Sequence, residues 1–474
     1  MSRVDEDAKK WRRDVGLNSL FSNTRPAIPR ILALLPLAAS LTALSICLPP
    51  DLRPLALRSC GIGLGAYLTT VHLVPVISKK IPRSKFGCDL LKRPPRLQID
   101  NKDKTIPESL GLVSGVVFVL ALVISDAIEA DHVVDAHTLA AATLAIALAI
   151  LLGFADDILD LEWRYKYALP PLMALPLLAA YSGGTVIRPP VLVRRYLTET
   201  KLGDVADYLL KLVGGSVVPE AMGLVDLGRA YQVSDSEQKM NLNLTWSRRW
   251  RRCGAASRRR RRRGRQRIYM VLLVVFCTNA VNIYAGVNGL ECGQVYVIAC
   301  AILAMAAIEL QHDRSENYTL SIVFLPPFIA TTLALLRSNW YPARVFVGDT
   351  FTNYAGMALA VVAILGHFPV MLLLLMAPQL INFLVSIPQL FKLRPCPRHR
   401  LPTYDERTGL LRCSYVNDRV KITENDGMNL TLINVVLRLK PMTEPALAAT
   451  LLVLQALCCA LALFLRFGWA GGIY

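Results

Sequence analysis

Two stretches decide the fold: SLGLVSGVVFVLALVISDA at residues 109–127 and HTLAAATLAIALAILLGFA at residues 137–155. The first carries one carboxylate, Asp126, and the second carries none. About 20 such residues in a helix cross a ~30 Å hydrocarbon core. Backbone at that depth must satisfy its own hydrogen bonds, which a helix does within one segment. Comparable runs recur at 30–49, 57–77, 167–182, 268–281, 294–311, 320–337, 353–368, 370–391 and 445–466. The expectation is an all-α fold, a polytopic transmembrane helical bundle of about 10–11 spans. Composition agrees: 54% of the 474 residues are hydrophobic, 19% are charged, and mean hydropathy is +0.41. A soluble domain carries more charge, about 25%.

The first run follows Lys9, Lys10, Arg12 and Arg13 and lacks a convincing small-residue cleavage site, so it reads as a signal anchor. The formal charge of +18 is local. Residues 248–267 hold 12 Arg, and without them the charge falls to +6. That tract reads as an unstructured insertion. Its sharper alternative, nucleic-acid or anionic-lipid binding, is disfavoured by the scarcity of interleaved aromatics, and no nucleic-acid partner is expected. The 11 Cys show no metal spacing and mostly sit in or beside apolar runs as small packing residues. Four regions follow: 1–56, a basic segment with an extra signal-anchor span; 57–228, a first membrane part; 229–267, the Arg-rich insertion; and 268–474, a second membrane part that includes the polar loop 392–440.

Lys/Arg bias with a cytosolic N-terminus puts loops 78–108, 156–166, 282–293, 338–352 and 392–440 in the cytosol. Loops 128–136, 183–267 and 312–319 face the other side. The sequons at Asn243 and Asn317 fall in those far-side loops, and the one at Asn429 falls in the cytosol, where it should stay unused. The polar, acidic and amide residues that interrupt apolar runs are expected at span ends on the cytosolic side, as a shared site at one membrane face requires.

Five motifs carry the chemistry. GFADDILDLEWRYK (153–166) offers Asp156 and Asp157 at a helix end, with Lys166 and Arg164 able to hold phosphate. A solvated loop with interfacial aromatics is its plain alternative. TNAVNIYAGVNGLE (278–291) has Asn279, Asn282 and Asn288, with Gly286 allowing close backbone approach. Asn is costly in hydrocarbon unless paired, and its amide oxygen can ligate Mg²⁺. VFVGDTFT (345–352) presents Asp349, a natural Mg²⁺ ligand or else the N-cap of the next helix. PCPRHRLP (395–402) holds Arg398, His399 and Arg400 between prolines, a pattern suited to a diphosphate or to a basic flank of a span. IPES (106–109) puts Glu108 at a helix start or against a nucleobase or ribose.

In this order the motifs resemble the polyprenyl-phosphate N-acetylhexosamine-1-phosphate transferase superfamily, in its eukaryotic branch. The resemblance runs from about Gly61 to the C-terminus, excluding an insertion near 229–266, and includes MNLTLIN near residue 430. CPRHR separates the chain from the bacterial muramyl-pentapeptide branch. The resemblance implies transfer of N-acetylglucosamine 1-phosphate from UDP-GlcNAc to dolichyl phosphate, in the lipid bilayer of the endoplasmic reticulum, with Mg²⁺ as cofactor. A homodimer is one assembly open to it. Other polyprenyl phosphates or UDP-sugars are the alternative within the class, and a polytopic transporter is the alternative outside it. Residue by residue, it implies that Asn282 and Asp349 hold Mg²⁺, and that Lys166 and Arg398 grip phosphates. It further implies that His399 and Arg400 shape the sugar pocket and that Asn288, Gly286 and Glu108 line the uridine side. Asp156, Asp157 and Asn279 complete the cluster, with one aspartate orienting the nucleophile. Asp160 departs from the Asn common in the animal enzymes.

Overall fold

A computed structural model of the chain describes residues 29–82, 84, 86–88, 105–128, 134–159, 161, 169–180, 186–187, 216–217, 225–226, 267–312, 316–396, 400–405, 408–415 and 427–467. Its helices follow the apolar runs. They are α1 (Arg30–Cys47), α2 (Arg53–Ser78), α3 (Gly111–Ile128), α4 (Ala136–Leu159), α5 (Leu169–Met173), α6 (Leu175–Ala180) and α7 (Arg267–Ile283). Next come α8 (Leu290–His312), α9 (Thr319–Asn339), α10 (Gly348–Leu365), α11 (Pro369–Leu375), α12 (Ala377–Leu390), α13 (Leu432–Leu439) and α14 (Glu444–Phe467). Among the described residues seven helices are long and apolar enough to cross a membrane. The protein is therefore a multi-pass helical membrane protein. Helices α1 and α7 are shorter apolar helices, and α11 and α12 form one run bent by 76° at Met376.

Three small antiparallel sheets decorate the bundle. Strand β1 (Phe86–Cys88) pairs with β2 (Thr105–Pro107), and β6 (Thr403–Asp405) pairs with β7 (Leu410–Arg412). Strand β5 (Val225–Asp226) lies between β3 (Val186–Ile187) and β4 (Ser216–Val217).

Helices α8, α9 and α10 run through the middle and are mostly buried, whereas α2, α4 and α14 turn much of their apolar surface outward. Outward apolar side chains are what lipid contact requires. The predicted signal anchor α1 is an integral part of this bundle. It packs along α8, and the Tyr296 hydroxyl donates to the Ala33 carbonyl. Small residues set close helix approaches. A Cβ on Gly356 of α10 would lie 2.5 Å from Thr278 Cα of α7, and one on Gly63 of α2 would lie 3.0 Å from the Pro326 carbonyl of α9.

One end of the bundle is fastened by Arg466, whose guanidinium pairs with Glu309 and donates to the Tyr318 hydroxyl at 2.9 Å. Tyr318 stacks on Phe368 with ring centroids 5.9 Å apart. Asn317 is exposed at this end. The other end gathers the motif loops.

Candidate active site

Two helix termini meet at the centre of the motif end. Helix α4 carries Asp156 and Asp157 in its last turn, and α10 begins at Gly348. The Asp157 carboxylate caps α10 from outside. Its Oδ1 accepts the Asp349 backbone N–H at 2.7 Å, and its Oδ2 accepts the Thr350 N–H at 3.1 Å and the Thr350 hydroxyl at 2.6 Å. First-turn N–H groups have no partner within their own helix, and a negative charge suits that terminus. Asp349 is therefore not the N-cap that its sequence context admitted; it stands inside the first turn, with its backbone capped by Asp157.

Glycines permit this contact. A Cβ on Gly153 would sit 2.8 Å from Thr350 Cα, so α4 can reach the first turn of α10 only without a side chain there. Gly348 has φ +74°, and a Cβ on it would overlap the Asp157 carboxylate and lie 2.9 Å from Ser109 Cα. The capped turn aims Asp349 at α7, where Asn282 Nδ2 donates to Asp349 Oδ1 at 2.7 Å. Asn279, one turn earlier on α7, donates its amide to the Val275 carbonyl at 2.8 Å. Asp156 is buried beside its capping neighbour.

Glu108 enters through backbone pairing. The Phe346 N–H donates to the Pro107 carbonyl at 2.8 Å, and the N–H groups of Leu110 and Gly111 donate to Phe346 and Val347 at 3.1 and 3.0 Å. Segment 107–111 thus lies against the segment leading to Asp349. A Cβ on Gly87 of β1 would overlap the Glu108 carboxyl, so the hairpin β1–β2 abuts that side chain.

The 284–290 loop is held from below. Buried Asn339 accepts the Gly289 N–H at 3.1 Å and donates to the Val345 carbonyl at 3.0 Å, so one side chain fixes two site loops. Asn339→Leu strands both partners in a buried place, which costs about 1–3 kcal/mol. The expected outcome is a thermal midpoint in detergent lowered by a few degrees relative to the parent protein. The Asn288 N–H donates to Glu444 Oε1 at 2.7 Å, and both residues are buried. Gly286 adopts φ +118°, and a Cβ there would lie 2.7 Å from Leu401 Cδ2, so the 400–402 segment seats on this loop.

Arg400 sits between two anchors. Its guanidinium donates to the Leu430 carbonyl at 3.3 Å, and its own carbonyl accepts from Asn434 Nδ2 at 3.2 Å. Burial pulls the Arg400 pKa below the ordinary arginine value, and it stays charged. Gln389 donates to the Pro395 carbonyl at 3.0 Å and accepts the Leu430 N–H at 2.7 Å, so both flanks of residues 397–399 are tied to α12 and α13. Asn429 is buried with its amide donating to Ser414 Oγ at 2.8 Å, so this sequon asparagine is engaged in the folded protein. Lys166, Arg398, His399, Asp160 and the sequon at Asn243 lie outside the described residues, as does the span 229–266 of the Arg-rich insertion.

One expectation fails. Amide residues are not confined to span ends at the motif side: Gln379 and Gln455 lie well inside apolar runs and are fully buried, as is Gln294. Asn339, Glu444, Asn382, Ser386, Gln389 and Asn434 also support the site without having been singled out. A buried polar residue on a mostly apolar helix was the available signal.

Helices that cross a membrane, with acidic and amide residues convergent at one end, fit a membrane-embedded group-transfer enzyme. Residues 265–367 match the family model described as glycosyl transferase family 4. The chain is 35% identical over 455 residues to the UDP-N-acetylglucosamine–dolichyl-phosphate N-acetylglucosaminephosphotransferase of Dictyostelium discoideum, covering 89% of this chain and 94% of that protein. It is 32% identical over 461 residues to the protein of the same name from Saccharomyces cerevisiae, covering 83% and 87%. A shorter match, 29% over 143 residues, reaches the phospho-N-acetylmuramoyl-pentapeptide-transferase of Acetivibrio thermocellus, covering 28% of this chain and 41% of that one. The chain belongs to the UDP-N-acetylglucosamine–dolichyl-phosphate N-acetylglucosaminephosphotransferase family.

Proposed function

We propose that this enzyme transfers N-acetylglucosamine 1-phosphate from UDP-GlcNAc to dolichyl phosphate at the endoplasmic reticulum membrane, with its site facing the cytosol. The products are dolichyl-diphosphate-GlcNAc and UMP, and the step opens lipid-linked oligosaccharide synthesis for N-glycosylation. The observation that carries the reading is the Asn282–Asp349 pair, fixed by the Asp157 cap, in a chain of this family.

The residues present fit Mg²⁺. A carboxylate and an amide converge at 2.7 Å, and among the described residues no cluster of three or more His, Cys, Asp or Glu gathers. Mg²⁺ is ordinarily held by one or two protein oxygens together with substrate phosphates and water, the arrangement this donor set suits. Asn282 and Asp349 would hold it, the amide turning its oxygen inward, and it would supply neutralisation of diphosphate charge.

The chemistry asks little of a base. A phosphate monoester has a second pKa of about 6, so the acceptor is already largely ionised at neutral pH. A dolichyl phosphate oxygen attacks the β-phosphorus of UDP-GlcNAc. A new P–O bond forms, the bond from that phosphorus to the bridging oxygen breaks, and UMP leaves with the oxygen. Positioning and charge compensation carry the rate. Lys166 and Arg398 hold phosphates, His399 and Arg400 enclose the sugar, and Glu108, Gly286 and Asn288 face the uridine. Both Asp157 oxygens already serve α10, so orientation of the nucleophile falls to Asp156, with Asn279 completing the polar wall.

The test is a product count with purified enzyme, UDP-GlcNAc and dolichyl phosphate. One UMP per lipid product is expected, with no labelled protein intermediate after acid quench. Folded protein that yields no lipid product would overturn the reading. A phosphoryl group trapped on Asp349 would overturn the single displacement.

A further inference from the structure

Three glutamines from three helices meet in the apolar interior. Gln294 (α8), Gln379 (α12) and Gln455 (α14) are each fully buried. Gln294 Nε2 donates to the Val281 carbonyl at 3.3 Å and to the Tyr284 carbonyl at 3.0 Å. Gln379 Nε2 donates to Gln294 Oε1 and to Gln455 Oε1, each at 2.7 Å. Gln455 Nε2 donates to the Leu375 carbonyl at 2.8 Å.

Both ends of this chain of amides are carbonyl acceptors, so the amide orientations are fixed. An amide reversed at Gln294 or Gln455 would set oxygen against oxygen. The end groups are also informative. Val281 and Tyr284 lie at the C-terminal turn of α7, where carbonyls lack helical partners, and they flank Asn282. Leu375 ends α11 at the 76° bend, where the helical ladder is interrupted. Unpaired carbonyls at such depth are costly, and buried amide donors are costly unless they are used. Each helix break thus stabilises the amides that serve it, and Gln379 joins the two breaks. Gln379 Oε1 has no hydrogen-bond partner among the described residues, so this residue serves only as a double donor.

We infer that Gln294, Gln379 and Gln455 are positioning residues that hold the end of α7, and so Asn282, in its place opposite Asp349. The inference rests on the proposed role of that pair and adds how it is held. The Gln379 amide donates to Gln294 and Gln455, so its effect on Asn282 passes through Gln294. Gln294 and Gln379 act as one unit, so their substitutions are non-additive.

The test uses Gln379→Met, which keeps length and apolar volume but removes both donors. Hydrogen–deuterium exchange in detergent should be faster over 281–290, a segment remote in sequence from the change. Turnover should fall about tenfold, as expected for one or two lost buried hydrogen bonds. The Mg²⁺ concentration for half-maximal rate should rise, and Gln294→Met/Gln379→Met should be no worse than Gln294→Met alone. If Gln379→Met does not fold, Gln379→Leu, which also removes both donors without adding a charge, supplies the same comparison. Unchanged exchange over 281–290, or fully additive losses, would overturn the inference. Wild-type enzyme without transfer activity would overturn the proposed function, and exchange over 281–290 would still decide whether the glutamines hold α7.

Discussion

Gly348→Ala abolishes most of the transfer activity, by about 10²-fold or more, because misplacing a reacting constellation by about 1 Å costs that much. The reasons are local. At φ +74° an L side chain is strained by roughly 1–2 kcal/mol. The added methyl would overlap the carboxylate that caps α10 and press on the Ser109 backbone at 2.9 Å. Ser109 Cα is backbone, and the Asp157 carboxylate is held in place by three hydrogen bonds. Either Asp157 leaves the cap or the first turn of α10 moves, and Asp349 moves with it. Steady-state kinetics on detergent-purified variant, normalised to folded protein by thermal melting, checks the prediction. Retention of more than half the wild-type turnover would show that Asp349 tolerates displacement of its turn.

Asp157→Asn is the second large effect, again about 10²-fold in turnover. The change preserves shape but removes the charge and turns an NH₂ group toward backbone donors. Asp157 accepts three hydrogen bonds from Asp349 and Thr350, and bonds to charged groups contribute about 1.5–3 kcal/mol each. The amide can accept at one oxygen only, so at least one donor of the α10 first turn is stranded. The KM for UDP-GlcNAc should change less than turnover, since Asp157 faces the helix rather than the nucleotide. A KM effect larger than the turnover effect would place Asp157 on substrate instead.

Those two residues also show what the sequence could reveal. The span pattern was legible: each apolar run became a helix or a pair of helices, because hydrocarbon leaves the backbone few alternatives. Finer boundaries were not. The run expected at 353–368 starts at Gly348, since a capping carboxylate from 192 residues away allows the helix to include polar Asp349 and Thr350. The run at 370–391 carried one signal of its 76° bend, Pro378, which stands in the first turn of α12 where a residue without an N–H is tolerated. The carbonyl left at Leu375 is met by Gln455 on another helix. Asp157 read as chemistry by residue type, and tertiary contact made it a cap. Asn282 and Asp349 were the opposite case. Each was singled out by a costly polar group beside an apolar run, and the fold joins them at 2.7 Å.

The most direct measurement is transfer of radiolabelled GlcNAc 1-phosphate to dolichyl phosphate in detergent, with and without Mg²⁺, for wild type and Asp349→Ala. Mg²⁺-dependent lipid product with UMP release in the wild type, lost in folded Asp349→Ala, is the expected result. Product formation by Asp349→Ala at the wild-type rate and Mg²⁺ dependence would contradict the assignment of the Asn282–Asp349 pair as the centre of the reaction.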